Sequence, residues 1–244
     1  MKRRVRYRLH ATAVNKDSGY MSIMDKIRLQ QALAVLPSHH TPPKHQPEML
    51  YIGCVDARLD PIDDIGIDKG KALIFRNIGA LVLKDGHAGS GTISAGSEIP
   101  QNISVGAVLE FFLNHIPVER GKVKHIVVSG HTDCGGLKAC QNEECGKHDH
   151  HLSHYLENLK DVRTRVRNEA KAKGWNDAQL LHALEEESVR QSMANLQGYP
   201  VVRKAMEEGA VEVHGWVIDT ATQRILEMNP KTLEFEPMAA RRAS

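Results

Sequence analysis

Long apolar runs are absent from this sequence of 244 residues, and aromatic residues make up only 5% of it. No stretch approaches the ~18 consecutive apolar residues that indicate a membrane-spanning helix. Acidic and basic side chains nearly cancel, leaving a formal net charge of +2. The sequence therefore lacks both the basic surface and the aromatic stacking residues of typical nucleic-acid-binding proteins. We predict neither a membrane nor a nucleic-acid partner.

Cysteine is also scarce. The four cysteines, Cys54, Cys134, Cys140 and Cys145, are too few and too unevenly spaced for a disulfide framework. A reducing compartment such as the cytoplasm, or metal ligation, is the better interpretation. The remaining composition, with 41% apolar and 25% charged residues, is that of an ordinary globular protein. Its length fits one large domain or two small ones.

The N-terminal segment is rich in Lys and Arg and lacks the apolar centre of a secretory signal. Three interpretations stay open: a disordered basic arm, an organellar transit segment, or a true start at Met21 or Met24. We predict an arm over residues 1–23, a catalytic domain over 24–229 and a tail over 230–244. Cytoplasmic localisation is expected, with organellar targeting left open.

Short apolar runs that alternate with helical patterns predict an α/β fold. Four runs are strand-like, at Glu48–Gly53, Ala72–Phe75, 126–129 and Val211–Ile218. Helical spacing occurs at Met24–Leu36, Ile103–His115, Leu152–Lys173, Asp177–Leu196 and Pro200–Glu208. We expect a mostly parallel central β-sheet flanked by helices and joined by right-handed connections. Val211–Ile218 is expected at its edge.

Two polar stretches are predicted as surface loops. Lys84–Asn102 is rich in Gly and Ser, and Cys140–His151 contains several Cys and His residues. For the second loop, an accessory metal site or a Cys140–Cys145 disulfide is an alternative. His214, beside Gly215 and Trp216, is interpreted as a packed strand residue and not as a ligand.

Metal-ligand residue types lie at the ends of two predicted strands. The stretch HIVVSGHTDCGGLKA (125–139) contains a buried strand that ends in His131 and Cys134, and Cys54 follows the strand at 48–53. Carboxyl ends of parallel strands meet at one edge of a sheet, so these three residues can form a Cys₂His site. Three protein ligands leave one tetrahedral position open, as in catalytic zinc sites. One Zn²⁺ per chain would lower the pKa of a bound water and produce a hydroxide nucleophile.

Asp56 and Arg58 follow Cys54 in the order C-V-D-A-R. A carboxylate near the ion can accept a hydrogen bond from the zinc-bound water, while Arg58 holds that carboxylate ionised and away from the metal. Gly135, directly after Cys134, lets the backbone approach a bound group. Each pattern alone also fits a buried cysteine beside a surface ion pair, or plain packing.

The sequence as a whole resembles the β-class carbonic anhydrases over about Met24 to Asn229. The matching segments are PEMLYIGCVDAR (47–58), LIFRNIGALV (73–82), HIVVSGHTDCGGLKA (125–139), ALEEESVRQSMANLQGYPVV (183–202) and VEVHGWVIDTATQRI (211–225). The resemblance implies zinc on Cys54, His131 and Cys134, an Asp56–Arg58 dyad and a four-stranded parallel core with a further edge strand. It also implies a homodimer or dimer of dimers, with active sites at the subunit interface and CO₂ as a small-molecule substrate. The implied activity is that of a lyase that hydrates CO₂ reversibly to bicarbonate.

Some positions depart from the family pattern. Ala57 replaces the usual Ser, and Ala80 follows Gly79 where Asn is usual. A substrate-contacting Gln is expected at the position of His45, with Gln46 one step away. We treat Gly79, Ala80, Gly135, His45 and Gln46 as candidate substrate contacts.

Some family members have a bicarbonate-inhibited closed state that uses a Trp–Arg–Tyr triad. Tyr51, Arg76 and Ile218 occupy those positions, so the triad is incomplete and we expect the open state, with Asp56 off the metal. The departures also keep an alternative function open, the hydrolysis of carbonyl sulfide or carbon disulfide by the same zinc-hydroxide attack. A non-catalytic, zinc-stabilised interaction protein is a third possibility.

Overall fold

The computed structural model describes residues 23–24, 26–28, 44–86, 103–117, 122–141 and 150–238. The chain divides into two compact units, residues 1–42 and 43–244. Within the first unit, residues 23–24 and 26–28 are helical; the rest of the helix predicted for Met24–Leu36 lies outside the described residues. The second unit contains the sheet and the candidate site.

Among the described residues, six strands form one mixed sheet in the order β2-β1-β3-β4-β5-β6. They are β1 (Met49–Cys54), β2 (Ala72–Asn77), β3 (Lys124–His131), β4 (Val211–Ile218), β5 (Ile225–Met228) and β6 (Phe235–Pro237). The first four strands are parallel. Strands β5 and β6 extend the sheet in antiparallel fashion. The predicted, mostly parallel sheet is confirmed.

The prediction that Val211–Ile218 lies at the sheet's edge is wrong. Strand β5 pairs with β4, with Ile218 opposite Ile225, after a turn in which the Asp219 N–H donates to the Arg224 carbonyl at 2.9 Å. Strand β6 then falls inside the segment 230–244 that the sequence assigned to a tail. The family resemblance implied one further edge strand beyond the parallel core, and β5 pairs with β4 in that place. Strands of four and three residues are too short to leave a period-two pattern that would locate them in the sequence.

Helices cover the sheet. They are α1 (Ile103–Glu110), which continues as a π-helical turn over Phe111–His115, α2 (Gly135–Gln141), α3 (His150–Leu156), α4 (Lys160–Lys173), α5 (Asp177–Gly198) and α6 (Pro200–Glu207). A 3₁₀ turn at Glu157–Leu159 divides the helix predicted over 152–173. Helix α5 begins with a capping box, because Asn176 accepts from the Gln179 N–H at 2.9 Å and Gln179 accepts from the Asn176 N–H at 3.0 Å.

The loop predicted over Cys140–His151 is partly helical. Cys140 lies in α2 and is fully buried, and α3 begins at His150. The apolar face of α2 carries Leu137 and Cys140 at i and i+3, which pulls the end of this segment into the interior. Residues 142–149, like 87–102 of the other predicted loop, lie outside the described residues.

The apolar interior has two main parts. One lies between the sheet and helices α1, α5 and α6; its largest fully buried members include Leu50, Ile52, Leu109, Phe112, Ile126 and Leu196. The other surrounds the carboxyl ends of β1 and β3 and includes Leu81, Leu137, Leu156, Leu184 and Ile218. This second part of the interior surrounds the candidate site and holds it in position. Within the described part of the chain, no helix combines the length and apolar character needed to cross a membrane.

Candidate metal centre

The candidate metal centre lies where β1 and β3 end. Cys54 is the last residue of β1 and His131 the last of β3, and these strands are direct neighbours in the parallel part of the sheet. Cys134 follows a short turn in which Asp133 has a left-handed φ of 60°. This turn brings Cys134 back beside the strand ends, next to a cysteine 80 positions earlier in the sequence.

The three ligand atoms of this cluster lie within 4.8 Å of one another. The two sulfurs are 4.0 Å apart, and all three side chains are buried. Two thiolates that each bind a tetrahedral zinc at about 2.3 Å are separated by ~3.8 Å. The spacing of Cys54 and Cys134 therefore fits a shared zinc ion without rearrangement of the backbone.

The ring of His131 is oriented for metal binding. Its Nδ1 lies 2.9 Å from the carbonyl oxygen of Thr132, which can only accept, so Nδ1 donates. Its Nε2 is buried and has no hydrogen-bond partner among the described residues. Buried polar atoms are nearly always satisfied, and a metal-ligating imidazole commonly donates its other nitrogen to a carbonyl in this way. The unpartnered lone pair faces the two sulfurs and completes a Cys₂His donor set.

The electrostatics of the two sulfurs also favour a cation. The hydrogen bond from the Cys134 thiol, assisted by His131, lowers the pKa of Cys54 to about 4. Donating that hydrogen bond, together with burial, raises the pKa of Cys134. The two sulfurs therefore share one negative charge. If the second thiol also loses its proton, the two thiolates repel each other. A divalent cation between them offsets this repulsion, and metal binding therefore releases protons from cysteine ligands.

Asp56 and Arg58 form a bidentate ion pair beside the cluster. The Arg58 Nε donates to Oδ1 of Asp56 at 2.9 Å and Nη2 donates to Oδ2 at 2.8 Å. Arg58 also donates to the Asp133 carboxylate at 2.7 Å and to its carbonyl at 2.9 Å. The Arg58 guanidinium holds the pKa of the Asp56 carboxyl below its ordinary range. Asp56 Oδ2 lies 3.9 Å from Nε2 of His131, close to the cluster but outside it.

Two further residues, whose supporting role is not evident from the sequence, contact the backbone of the candidate ligands. Glu185 on α5 is buried and accepts the Cys134 N–H at 3.0 Å. Arg76 on β2 donates to the carbonyl oxygens of Cys54 at 2.7 Å and Asp56 at 2.6 Å. In the sequence, Glu185 could have been identified as a charged residue on the buried stripe of helix α5, next to Leu184 and Ser188.

A cavity of about 300 Å³ opens beside the cluster. It is lined by Cys54, Val55, Asp56, Ile78, Gly135, Gly136, Ala139 and Leu152. Of the candidate substrate contacts, Gly135 is thus placed at the cavity. Gly79 and Ala80 are buried next to it with left-handed φ values of 71° and 55°, but they are not part of its lining.

His45 and Gln46 lie elsewhere. Both are exposed and precede the first residue of β1, whereas Cys54 is the last. The Gln46 N–H donates to the carbonyl of Gly70 at 3.0 Å, next to the start of β2. A single subunit therefore does not bring these two residues to the cavity.

A buried Cys₂His cluster at the carboxyl edge of a parallel sheet, with an aspartate–arginine pair beside it, defines an α/β protein with a candidate metal centre. Comparisons with known proteins identify its family. The family model for carbonic anhydrase matches residues 49–225. Carbonic anhydrase 1 of Escherichia coli O157:H7 is 31% identical over 197 residues, which cover 81% of this chain and 80% of the relative. Carbonic anhydrase of Emericella nidulans is 31% identical over 185 residues, covering 75% and 70% of the two chains.

Solved structures agree with these sequence matches. A tetrameric β-carbonic anhydrase of Sordaria macrospora superposes with a TM-score of 0.62 at 29% identity, covering 76% of this chain and 82% of the other. The β-carbonic anhydrase CafA of Aspergillus fumigatus gives a TM-score of 0.61 at 27% identity, covering 84% and 83%. The chain belongs to the β-class carbonic anhydrase family, whose members depend on zinc.

Proposed function

We propose that this protein catalyses the reversible hydration of CO₂ to bicarbonate and a proton, with one Zn²⁺ per chain held by Cys54, His131 and Cys134. The observation that carries the proposal is the buried, unpartnered Nε2 of His131, which faces two cysteine sulfurs 4.0 Å apart. When bound, zinc acts as a Lewis acid that lowers the pKa of a coordinated water and so supplies a nucleophile near neutral pH.

Asp56 orients the attacking water. Its carboxylate is ionised, lines the cavity and can only accept hydrogen bonds. Accepting the water's proton in a hydrogen bond aims the oxygen lone pair away from Asp56 and into the cavity. Arg58 occupies both carboxylate oxygens from the other side, which keeps Asp56 charged and off the cysteine–histidine cluster.

The cavity walls suit CO₂, a small linear molecule without a net dipole. Val55, Ile78, Ala139 and Leu152 supply apolar surface, and Gly135 lets the backbone approach the substrate. Gly79 and Ala80 follow the lining residue Ile78 in the sequence and lie behind the cavity wall. Apolar walls with a few convergent polar groups are the usual composition of small-molecule sites.

His45 and Gln46 are proposed substrate contacts that act across a subunit interface. Their place at the amino end of β1 leaves them far from the cavity of their own subunit, so a partner subunit would have to present them. The proposed assembly is accordingly a homodimer or a dimer of dimers. From the sequence composition we also propose a cytoplasmic location without a nucleic-acid or membrane partner.

Parallel assays of two substrates test the proposal. Stopped-flow measurement should show rapid CO₂ hydration by the zinc-loaded protein, and a sulfide-release assay on carbonyl sulfide and carbon disulfide should show much slower turnover. Faster turnover of the sulfur compounds would reassign the site to carbonyl sulfide or carbon disulfide hydrolysis. Zinc binding without turnover of any of the three would indicate a zinc-stabilised interaction protein. Cys54→Ser is the matched inactive control.

A further inference from the structure

A second group of metal-ligand side chains lies on the sheet, away from the catalytic cluster. His125 is on β3, and Glu212 and His214 are on β4. The register pairs His125 with Glu212 and Val127 with His214, so all three side chains project from the same face because strand residues alternate. His125 precedes His131 by six residues of β3, or about 20 Å at the rise of an extended strand. The two groups are therefore separate.

Three atoms of this group form a compact triangle. His125 Nδ1 and His214 Nε2 are 3.2 Å apart, and Glu212 Oε2 lies 3.7 Å from the first and 3.9 Å from the second. The two carboxylate distances are too long for direct hydrogen bonds. They are within about 0.6 Å of the ~3.3 Å that separates two nitrogen or oxygen ligands of a tetrahedral zinc.

Glu227 on β5 selects the tautomer of the neutral His214 ring. Its Oε1 lies 3.0 Å from Nδ1 of His214 and also accepts the Trp216 indole N–H at 3.4 Å. A carboxylate can only accept, so Nδ1 of His214 donates to it, and the neutral ring keeps a lone pair on Nε2. A metal-bound histidine commonly donates the N–H of its second ring nitrogen to a carboxylate. The antiparallel strand β5, which pairs with β4, supplies this support.

The lone pair of His214 Nε2 points at another ring nitrogen 3.2 Å away. Two imidazole nitrogens at that distance require either a proton or a cation between them. A carboxylate oxygen almost equidistant from both is placed where a third ligand would be. We propose that His125, Glu212 and His214 form a second zinc site, distinct from the catalytic one.

The exposure of two of the three side chains gives the ion and its water ligands access to the site. Glu212 is exposed and His125 is partly exposed. His125 also lines a neighbouring cavity of about 450 Å³ with Lys71 and Lys122, a cavity that neither Glu212 nor His214 lines. Both lysines are ion-paired with Glu48, at 2.9 and 3.1 Å, which moderates their repulsion of a cation. Two imidazoles and one carboxylate form a donor set that zinc accepts with open positions left over.

Zinc counting on the full-length holoprotein tests the proposal. After equilibrium dialysis in buffered Zn²⁺, elemental analysis should find two zinc ions per chain in the wild type and one in Glu212→Gln or His214→Ala. Cys54→Ser should lose the other ion and keep this one. Binding at the second site should weaken at least tenfold in Glu212→Gln, and excess zinc should raise the thermal midpoint of the wild type but not of that variant.

Two controls address other histidines. His115→Ala removes an exposed histidine on the π-helical turn and should keep both ions. A triple variant, His148→Ala, His150→Ala and His151→Ala, removes the histidine-rich stretch of the sequence and should also keep both. Retention of one ion in His214→Ala shows that the protein has folded. A wild type that holds one zinc ion at saturation would mean that a proton bridges His125 and His214, and loss of the second ion only in the triple variant would place it elsewhere; either result overturns the proposal.

Discussion

The guanidinium of Arg58 binds both carboxylate oxygens of Asp56, Nε to Oδ1 at 2.9 Å and Nη2 to Oδ2 at 2.8 Å. The same guanidinium donates to Asp133, in the turn that delivers Cys134. Arg58 therefore connects the two halves of the metal centre, one from β1 and one from the end of β3. Its Asp56 partner is held 3.9 Å from His131 Nε2, near the ligands but not among them.

Asp56→Asn should keep zinc but lower the rate of CO₂ hydration by about 10²–10⁴-fold, the range of a positioned acid–base group. The amide has a similar shape but donates from one end, so it no longer holds the water's lone pair in the attacking direction. Stopped-flow rates and zinc content of the same preparation check this. Asp63→Asn, on an exposed turn, is the matched control. Unchanged rates in Asp56→Asn would show that the Asp56–Arg58 pair is only structural.

Each proposed zinc ligand should be indispensable. Cys54→Ser, His131→Ala and Cys134→Ser each leave two ligands, and we expect each variant to lose the catalytic zinc in elemental analysis. Cys140→Ala removes a buried cysteine that is not part of the cluster, and it should keep zinc. Full occupancy of the catalytic site in any of the three ligand variants contradicts the assignment.

Glu185→Ala should lower both the stability of the protein and its affinity for zinc. The substitution leaves the buried Cys134 N–H without its acceptor, which costs about 1–3 kcal/mol of unfolding free energy, and loss of such a supporting partner typically lowers metal affinity about 10–100-fold. Competition with a chelator measures the affinity, and urea unfolding measures the stability. Glu186→Ala, one residue further on α5, is the control. Equal effects of the two substitutions would argue against a special role for Glu185.

The two glycines after Cys134 should respond differently to a methyl group. A Cβ on Gly136 would lie 2.6 Å from Cγ2 of Ile78, whereas a Cβ on Gly135 would meet nothing within 4 Å. Gly136→Ala should cost about 1–3 kcal/mol as overpacking and narrow the cavity that both glycines line. Gly135→Ala should leave the stability nearly unchanged. Unfolding curves and CO₂ hydration rates of the two variants provide the comparison, and a harmless Gly136→Ala would disprove the crowding.

The stability of the protein should depend on acid pH through Asp56. Arg58 lowers the folded-state pKa of Asp56 below the ordinary value of 3.8, so the folded protein binds this proton less readily than the unfolded chain does. The pair therefore stabilises the fold fully above about pH 4, and this contribution disappears as the pH falls through the lowered pKa. Thermal midpoints between pH 7 and 3 should fall less steeply in Asp56→Asn than in the wild type. Parallel slopes would mean that Asp56 has an ordinary pKa.

The same lowered pKa shapes the activity profile. Asp56 stays ionised above pH 5, so CO₂ hydration should rise with pH as one smooth transition, without a steep cooperative step. Ile218 has no hydroxyl with which to bind bicarbonate, and Arg76 already donates to the Cys54 and Asp56 carbonyls. One lost hydrogen bond to a charged ligand costs about 1.5–3 kcal/mol, or roughly ten- to a hundredfold in affinity. A sharp bicarbonate-dependent switch in the rate would contradict this expectation.

The residue types of the candidate metal centre were predictable because they lie close together in the sequence. Cys54, Asp56 and Arg58 fall within five consecutive positions, and His131 and Cys134 within four. Buried parallel strands have recognisable apolar runs, and their carboxyl ends must meet at one edge. The sequence alone therefore determined the parallel core, the donor set of the candidate zinc site and its location.

Only the tertiary structure decided which distant side chains lie beside the candidate ligands and beside one another. Glu185 reaches the Cys134 N–H because α5 lies against the end of β3, and His125 meets His214 because β3 and β4 adopt one particular register. The sequence around His214 predicts a packed strand residue, and nothing local reveals that β5 places Glu227 beside its ring. Strand register and helix docking result from packing over the whole interior, which local spacing does not encode.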